Sequence, residues 1–328
     1  MIVSGSMKRP TTVDELIDPR MLARLDRLDL RTRKMFPGKL QGERRSKRRG
    51  QSVEFEDYRN YVAGDDLRFI DWNVYARLDR LFIKIFIEEE DLALNLTIDA
   101  SASMDAGSPN KLLFAARLAM ALGYIGLVKQ NRVGVTIFGR PGIPGVVRLP
   151  DMRGRHQVDR LGRFILEQAW RTGEHVDRGS ALAPGPGGGF NEALTTIART
   201  RTGKGVMVLL SDFLVEEGYE QGLKTLSASS GYDTYCLQIL APGEIDPAHE
   251  GEGVITGDLR LTDIESGRGA EVTVTRQIIE KYRERVRNYC AQLEHYCTAR
   301  AMVHRLVRSD ESIETLVLDT LRRRGLLA

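Results

Sequence analysis

The sequence predicts an α/β protein: a doubly wound, mostly parallel sheet with helices on both faces, preceded by an N-terminal α+β appendage. Three observations carry that prediction. Short, near-continuous apolar runs recur through residues 91–328, as strands buried on both faces require. Between them lie longer stretches with helical spacing of apolar residues, the rhythm of a parallel sheet. Residues 1–90 break this rhythm and carry a charge run, which sets the expected domain boundary near residue 90.

In order along the chain, "TVDELIDPRMLARLDRLDL" (12–30) is helix-like and leads through "FPGK" to the charge run "GERRSKRRG" (42–50). "LFIKIFIEEEDL" (81–92) alternates as an exposed antiparallel strand does. Buried strands are expected at "LALNLTID" (92–99), "RVGVTIF" (132–138), "VMVLLSD" (206–212), "YDTYCLQIL" (232–240) and "AMVHRLV" (301–307). Helices are expected at 110–130, 155–169, 190–200, 216–229, 276–300 and 312–325. Since the run at 301–307 returns to the strand rhythm, the C-terminal third is expected to complete the same sheet. There is no internal repeat.

Composition narrows the function classes. Among 328 residues, 48 Lys and Arg face 45 Asp and Glu, too near balance to imply a polyanion partner for the whole molecule. No apolar window approaches the roughly 20 residues that span a bilayer. The N-terminal "MIVSGSMKRP" lacks the apolar core of a signal peptide, so a cytoplasmic protein without membrane insertion is expected. The three cysteines, Cys236, Cys290 and Cys297, are too few and too unevenly placed for a disulfide framework.

The stretch with the most chemistry is "LTIDASASMDAG" (96–107), where an apolar strand stops at Asp99 and Ser101 and Ser103 follow at alternate positions. In open α/β sheets ligands sit beyond the carboxyl ends of the strands. A carboxylate with two hydroxyls is hard-oxygen chemistry, suited to Mg²⁺ with several waters retained. A metal there needs another oxygen ligand from a second strand end, and "LLSD" offers Ser211 and Asp212. The bland alternative is that Asp99 and Ser101 cap the start of a helix. Competing chemistries fail on residue type. An aspartyl-phosphate phosphatase needs a second carboxylate at position 101, which is serine; "GPGGGF" (185–190) and "TGKGVMVLL" (202–210) lack the Lys-Ser/Thr ending of a P-loop; and neither serine has the flanking glycines of a nucleophile elbow.

Asp99-x-Ser101-x-Ser103 with a later Ser211-Asp212 resembles the metal-ion-dependent adhesion site of von Willebrand factor A domains. More widely, residues 48–104, "RRGQSVEFEDYRNYVAGDDLRFIDWNVYARLDRLFIKIFIEEEDLALNLTIDASASM", resemble the bacterial family called domain of unknown function 58, as do "GDLRLTDIESG" (257–267) and "LRRRGLL" (321–327). The resemblance implies that Ser101 and Ser103 ligate Mg²⁺ directly, and that Asp99 and Asp212 act through water. Where the family places a threonine ligand this sequence has glycine, in "GGGFNEAL" (187–194), and Ser180 is the nearby hydroxyl; weak Mg²⁺ binding follows as the expectation. The resemblance further implies a binding module and not an enzyme, acting beside a MoxR-type AAA+ ATPase in assembly or activation of client proteins.

Two alternatives belong to other classes. A metal-dependent phosphoesterase would need a general base, and His156, His175, His249, His295 and His304 are scattered away from the strand ends. A nucleic-acid binder would use Arg44, Arg45, Lys47, Arg48 and Arg49, but that run lacks interleaved aromatic residues. "GDDLRFIDW" (64–72) is expected to be a turn and salt-bridge network that docks the appendage and pairs Arg68 with Asp71, the alternative being a surface that contacts a partner. Cys290 and Cys297, seven apart on one helix, are expected to pack in the core while His295 points elsewhere.

Overall fold

The computed structural model describes residues 9–33, 54–62, 67, 70–87, 92–173, 189–200, 204–228, 231–247, 257–262 and 269–327. In chain order the strands are β1 (Glu54–Asn60), β2 (Phe82–Ile87), β3 (Ala93–Asp99), β4 (Arg132–Phe138), β5 (Val147–Met152), β6 (Gly205–Ser211), β7 (Tyr232–Leu240), β8 (Gly257–Thr262), β9 (Gly269–Val274) and β10 (Val303–Arg308). The α-helices are α1 (Pro19–Leu25), α2 (Trp72–Leu78), α3 (Lys111–Val128), α4 (Val158–Ala169), α5 (Phe190–Thr200), α6 (Glu220–Ala228), α7 (Pro242–Ile245), α8 (Arg276–Thr298) and α9 (Ile313–Thr315). They form two compact units, Met1–Arg33 with Leu92–Ala328, and Lys34–Asp91.

The large unit is built on a six-stranded sheet in the order β10-β7-β6-β3-β4-β5. All neighbours are parallel except β5, which runs antiparallel to β4. Strand side chains alternate between two cores because successive Cβ atoms point to opposite faces. Leu94, Leu96 and Ile98 of β3, with Val206, Val208 and Leu210 of β6, join a core with α3 and α4. Met207, Leu209 and Cys236 join a second core with Phe190, Leu194, Leu223, Leu293 and Cys297 of α5, α6 and α8. This is the doubly wound α/β class, and double-sided burial explains why its parallel strands read as near-continuous apolar runs. After β3 the chain builds β4 and β5 to one side, then returns to β6 on the other. The tip of β3 is therefore the switch point where such sheets open a crevice.

Helix α3 is the central helix of the first core. Its mean hydropathy of 1.6 over 18 residues would suit a bilayer by length and composition, but 89% of it is buried within the fold. A helix apolar all round is what a fully covered position demands. It starts where the Asn110 side chain accepts the Leu113 N–H at 2.9 Å.

Two expectations change. The N-terminal segment was expected in the appendage, yet Leu16, Ile17, Leu25, Leu28 and Leu30 are buried in the first core, and Leu30 bridges Leu327. The appendage therefore reduces to an insertion, residues 34–91. The helix-like stretch 12–30 is in fact a 3₁₀ turn at Val13–Glu15 and the short α1, whose start is set by Asp18 and Pro19. The helix expected at 312–325 forms over residues 313–323, with a π-helical stretch, Leu316–Leu321, within it.

The small unit pairs β1 with β2 antiparallel, from Glu54↔Ile87 to Asn60↔Phe82, with a bulge between Phe55 and Asp57. Between these strands, α2 is capped by Asp71, whose Oδ1 accepts the N–H groups of Asn73 and Val74 at 2.9 and 3.2 Å. The Tyr58 hydroxyl donates to the other Asp71 oxygen at 3.0 Å. Arg68, expected to pair with Asp71, lies outside the described residues, as does the basic run 44–49.

Candidate functional site

The site forms where β3 and β6 end side by side. Their parallel register sets Ile98 against Leu210, so Asp99 and Ser211 emerge together. The Ser211 hydroxyl donates to Asp99 Oδ2 at 2.6 Å, and the Ser101 N–H donates to Asp99 Oδ1 at 3.0 Å. That second bond closes an Asx turn, which folds the loop back and brings the Ser101 and Ser103 hydroxyls to 3.1 Å from each other. The helix-capping alternative is thereby excluded: Asp99 serves its own loop, and Asn110 caps α3. Gly139, at φ +74, follows β4 against this loop; a Cβ there would lie 2.7 Å from Asp99 Oδ1 and 3.2 Å from the Ser101 nitrogen. Glycine is needed for both the left-handed backbone and the close approach.

Asp212 is not the solvent-facing strand-end carboxylate that its position in "LLSD" suggests. It is 2% exposed, and Lys111, fully buried at the head of α3, donates to its Oδ2 at 2.9 Å. The same ammonium donates to Glu244 Oε1 at 2.5 Å, and Glu244 Oε2 accepts the Ala241 N–H at 2.8 Å. Burial works against the charged lysine, but the carboxylates of Asp212 and Glu244 outweigh it and hold its pKa above the ordinary value. On the other side of the site the balance is unfavourable. Burial first, then the charge of Asp212, pushes the Asp99 carboxyl up to about 7 against the pull of its hydrogen bonds from Ser211 and Ser101.

Behind the site the turn after β6 is held from several directions. Leu214 N–H donates to Asp212 Oδ1 at 3.1 Å, and Phe213 N–H donates to Ser211 Oγ at 3.0 Å, with Phe213 at φ 58. Phe213 stacks edge-on with Phe190, which meets Phe138 in the same way. From α8, the Tyr289 hydroxyl donates to the Phe213 carbonyl. From β7, Gln238 Nε2 donates to the Asp212 carbonyl at 3.1 Å, and Gln238 Oε1 lies 3.1 Å from His304 Nε2 of β10.

Thus Asp99, Ser101, Ser103 and Asp212, named from the sequence, come together; Ser180 lies outside the described residues. Among the described residues there is no group of three His, Cys, Asp or Glu side chains that could hold a metal. A cation here would rest on hydroxyls, with the carboxylates reaching it through water. The hydroxyl spacing fits: neighbouring ligands of an octahedral Mg²⁺ at about 2.1 Å stand about 3 Å apart, against 3.1 Å between the two serine oxygens. Sequence reasoning missed Lys111 and Glu244. The signal for Lys111 was a lone charge heading "KLLFAA"; for Glu244 there was none, since α7 reaches the site only through the fold.

A family described as "Protein of unknown function DUF58" matches residues 57–292. The chain is 26% identical over 263 residues to the uncharacterized protein Rv1480 of Mycobacterium tuberculosis, covering 79% of this chain and 76% of that one. A Mycobacterium bovis uncharacterized protein, Mb1516, matches to the same extent. Among solved structures, it is similar to the conserved hypothetical protein BatB from Bacteroides thetaiotaomicron, at 14% identity and a TM-score of 0.39, covering 71% of this chain and 98% of that chain. An aerotolerance-related membrane protein from Bacteroides fragilis gives 15% identity and a TM-score of 0.40, covering 71% of this chain and 97% of that chain.

Proposed function

Taking as premise that this chain belongs to the DUF58 family, we propose that it is a non-catalytic protein-interaction module that engages an acidic side chain of its partner through a weakly held Mg²⁺. The observation that carries this reading is the pair of half-buried hydroxyls, Ser101 and Ser103, at the spacing of adjacent octahedral ligands, beside a carboxyl destabilised by burial. In it, Ser101 and Ser103 hold the ion directly, Asp99 and Asp212 hold its waters, and the ion supplies an open position for a carboxylate. A bound cation would offset the repulsion between Asp99 and Asp212. Affinity stays low because Lys111 already neutralises part of that charge. Dissociation in the millimolar range corresponds to about 4 kcal/mol.

Engagement of the polar groups supports a binding role over a hydrolytic one. Both oxygens of Asp99 accept hydrogen bonds, and both oxygens of Asp212 do as well. His304 lies behind Gln238 and not at the strand ends. We further propose, from the family resemblance alone, that the module acts with a MoxR-type AAA+ ATPase on client proteins. The test is Mg²⁺ titration calorimetry on the parent and Ser101→Ala, followed by capture from a native lysate with and without Mg²⁺. Millimolar binding lost in Ser101→Ala, with Mg²⁺-dependent capture of an ATPase, is the expected result. Mg²⁺ binding unchanged in Ser101→Ala would refute the site.

A further inference from the structure

Two cationic side chains, apart from histidine, are buried among the described residues, and the fold treats them differently. Lys111 has two carboxylates. Arg140 has none: its Nη1 donates to the neutral Gln168 Oε1 at 3.0 Å, and its buried Nε has no hydrogen-bond partner. At 7% exposure, this guanidinium is stripped of most of its water without an anion in return. Burial first, then the nearby positive charge of Arg171, lowers its pKa. Among the described residues no carboxylate pairs with it, and a buried ion left in this state is costly.

The turn that carries Arg140 is well held. Ile143 N–H donates to the Arg140 carbonyl at 3.1 Å, and Gly173 N–H donates to the Pro141 carbonyl at 3.1 Å. A Cβ on Gly173 would sit 2.6 Å from the Gly142 carbonyl oxygen, so the chain leaving α4 presses onto this turn. Arg140 is also next in sequence to Gly139, the residue that abuts Asp99 and Ser101. Gln168 holds Nη1 and the Nε lies buried beneath it, so the guanidinium keeps donor capacity that the described residues do not fill, one residue along the chain from Gly139, and a planar cation of this kind suits a carboxylate.

We propose that Arg140 is an anion-binding residue that receives a carboxylate side chain of the protein partner, next to the cation site at Ser101 and Ser103. The partner segment is then acidic at two points, one carboxylate for the cation and one for Arg140. This identity of the partner rests on the interaction reading given above; the anion site itself stands on Arg140 alone. Arg171 adds positive charge to the same rim without being buried.

The probe is succinate, added to the full chain in EDTA-containing buffer at ionic strength matched with sodium chloride, with binding read by calorimetry and by thermal melts. Inorganic phosphate is the second arm. The parent should bind succinate and melt higher in its presence, Arg140→Gln should bind at least tenfold more weakly, and Ser101→Ala should bind as the parent does. In buffer without succinate or phosphate, Arg140→Gln should melt at or above the parent, because it removes an uncompensated charge while keeping a hydrogen-bonding side chain. Equal succinate binding by parent and Arg140→Gln would overturn the proposal. So would an Arg140→Gln variant that melts well below the parent without added anion, since the guanidinium would then be satisfied within the chain. Phosphate binding without succinate binding would overturn the carboxylate assignment. Loss of Mg²⁺ binding in the parent would defeat the cation site and leave the succinate result untouched, so the two failures are separable.

Discussion

The sheet unit and the insertion at 34–91 manage apolar surface in opposite ways. In the former, β3, β6 and β7 are buried along their whole length, and the predominantly apolar α3 is 89% buried. In the latter, Val62, Leu67, Trp72 and Leu78 are each about 60% exposed, and the sheet has only two strands. A lone two-stranded sheet is marginal in water. The sheet unit therefore draws its stability from two cores, whereas the described part of the insertion has the small buried pair Ile70 and Ile83 and the polar pins of Asp71. Apolar burial is cumulative, and a pin is a single point of failure.

Substitutions can break or sharpen this contrast. The largest effect is expected in the sheet unit at its buried ion pair. Lys111→Met leaves Asp212 and Glu244 without their cation, and removing one partner of a dry pair costs roughly 3–5 kcal/mol. Urea denaturation monitored by circular dichroism measures it; a loss below 1 kcal/mol would mean that water reaches the pair. Asp212→Ala should also destabilise, since Asp212 is buried against Lys111.

Next comes the core itself. Leu96→Ala removes a fully buried side chain from the middle of β3 and is expected to cost about 2–5 kcal/mol in the same experiment. A loss near zero would contradict the close packing of this face.

The third effect is a pH dependence confined to the sheet unit. Burial first, then the charges of Arg305 and Arg324, lowers the His304 pKa from 6.5 to about 4. The unfolded chain therefore binds this proton before the folded one as pH falls. The corresponding stability is present above pH 6.5 and is lost toward pH 4, by up to about 3 kcal/mol. Melts of the parent and His304→Gln across this window should converge at low pH; parallel curves would show that His304 titrates alike in both states.

The insertion should respond more weakly and locally. Asp71→Ala removes the α2 cap and the Tyr58 acceptor, an expected loss of about 1–2 kcal/mol. Hydrogen exchange should quicken in β1 and β2 and remain unchanged in β3 and β6; quickening in all four strands would show one cooperative unit. Smallest of all, Trp72→Ala is expected to change stability by less than about 0.5 kcal/mol, because its side chain is exposed. A larger loss by thermal melt would show that Trp72 is covered, and the contrast drawn above would fail.

Much of the sheet was legible because buried parallel strands have a local signature. "LALNLTID", "RVGVTIF" and "YDTYCLQIL" are buried almost throughout and rich in apolar residues, with only isolated polar ones such as Asn95, Thr97 and Gln238, so each announces itself without reference to its neighbours. β5 was not legible. "VRLPDM" is a half-exposed edge strand containing a proline, and only pairing with β4 identifies it. The hairpin of β8 and β9 was missed for a related reason: a two-stranded element needs no unbroken apolar run.

The sequence by itself determined the α/β class, the buried strands, and the meeting of Asp99, Ser101 and Ser103 at a strand end, because each depends on residues close together in the chain. Tertiary structure alone decided that the leucines of residues 9–33 join the first core, that Lys111 meets Asp212 across 101 positions, and that Arg140 is buried with no anion beside it among the described residues. A side chain's periodicity shows in its neighbours, but its solvation and its charge partners are set by segments that come near only when the chain has folded.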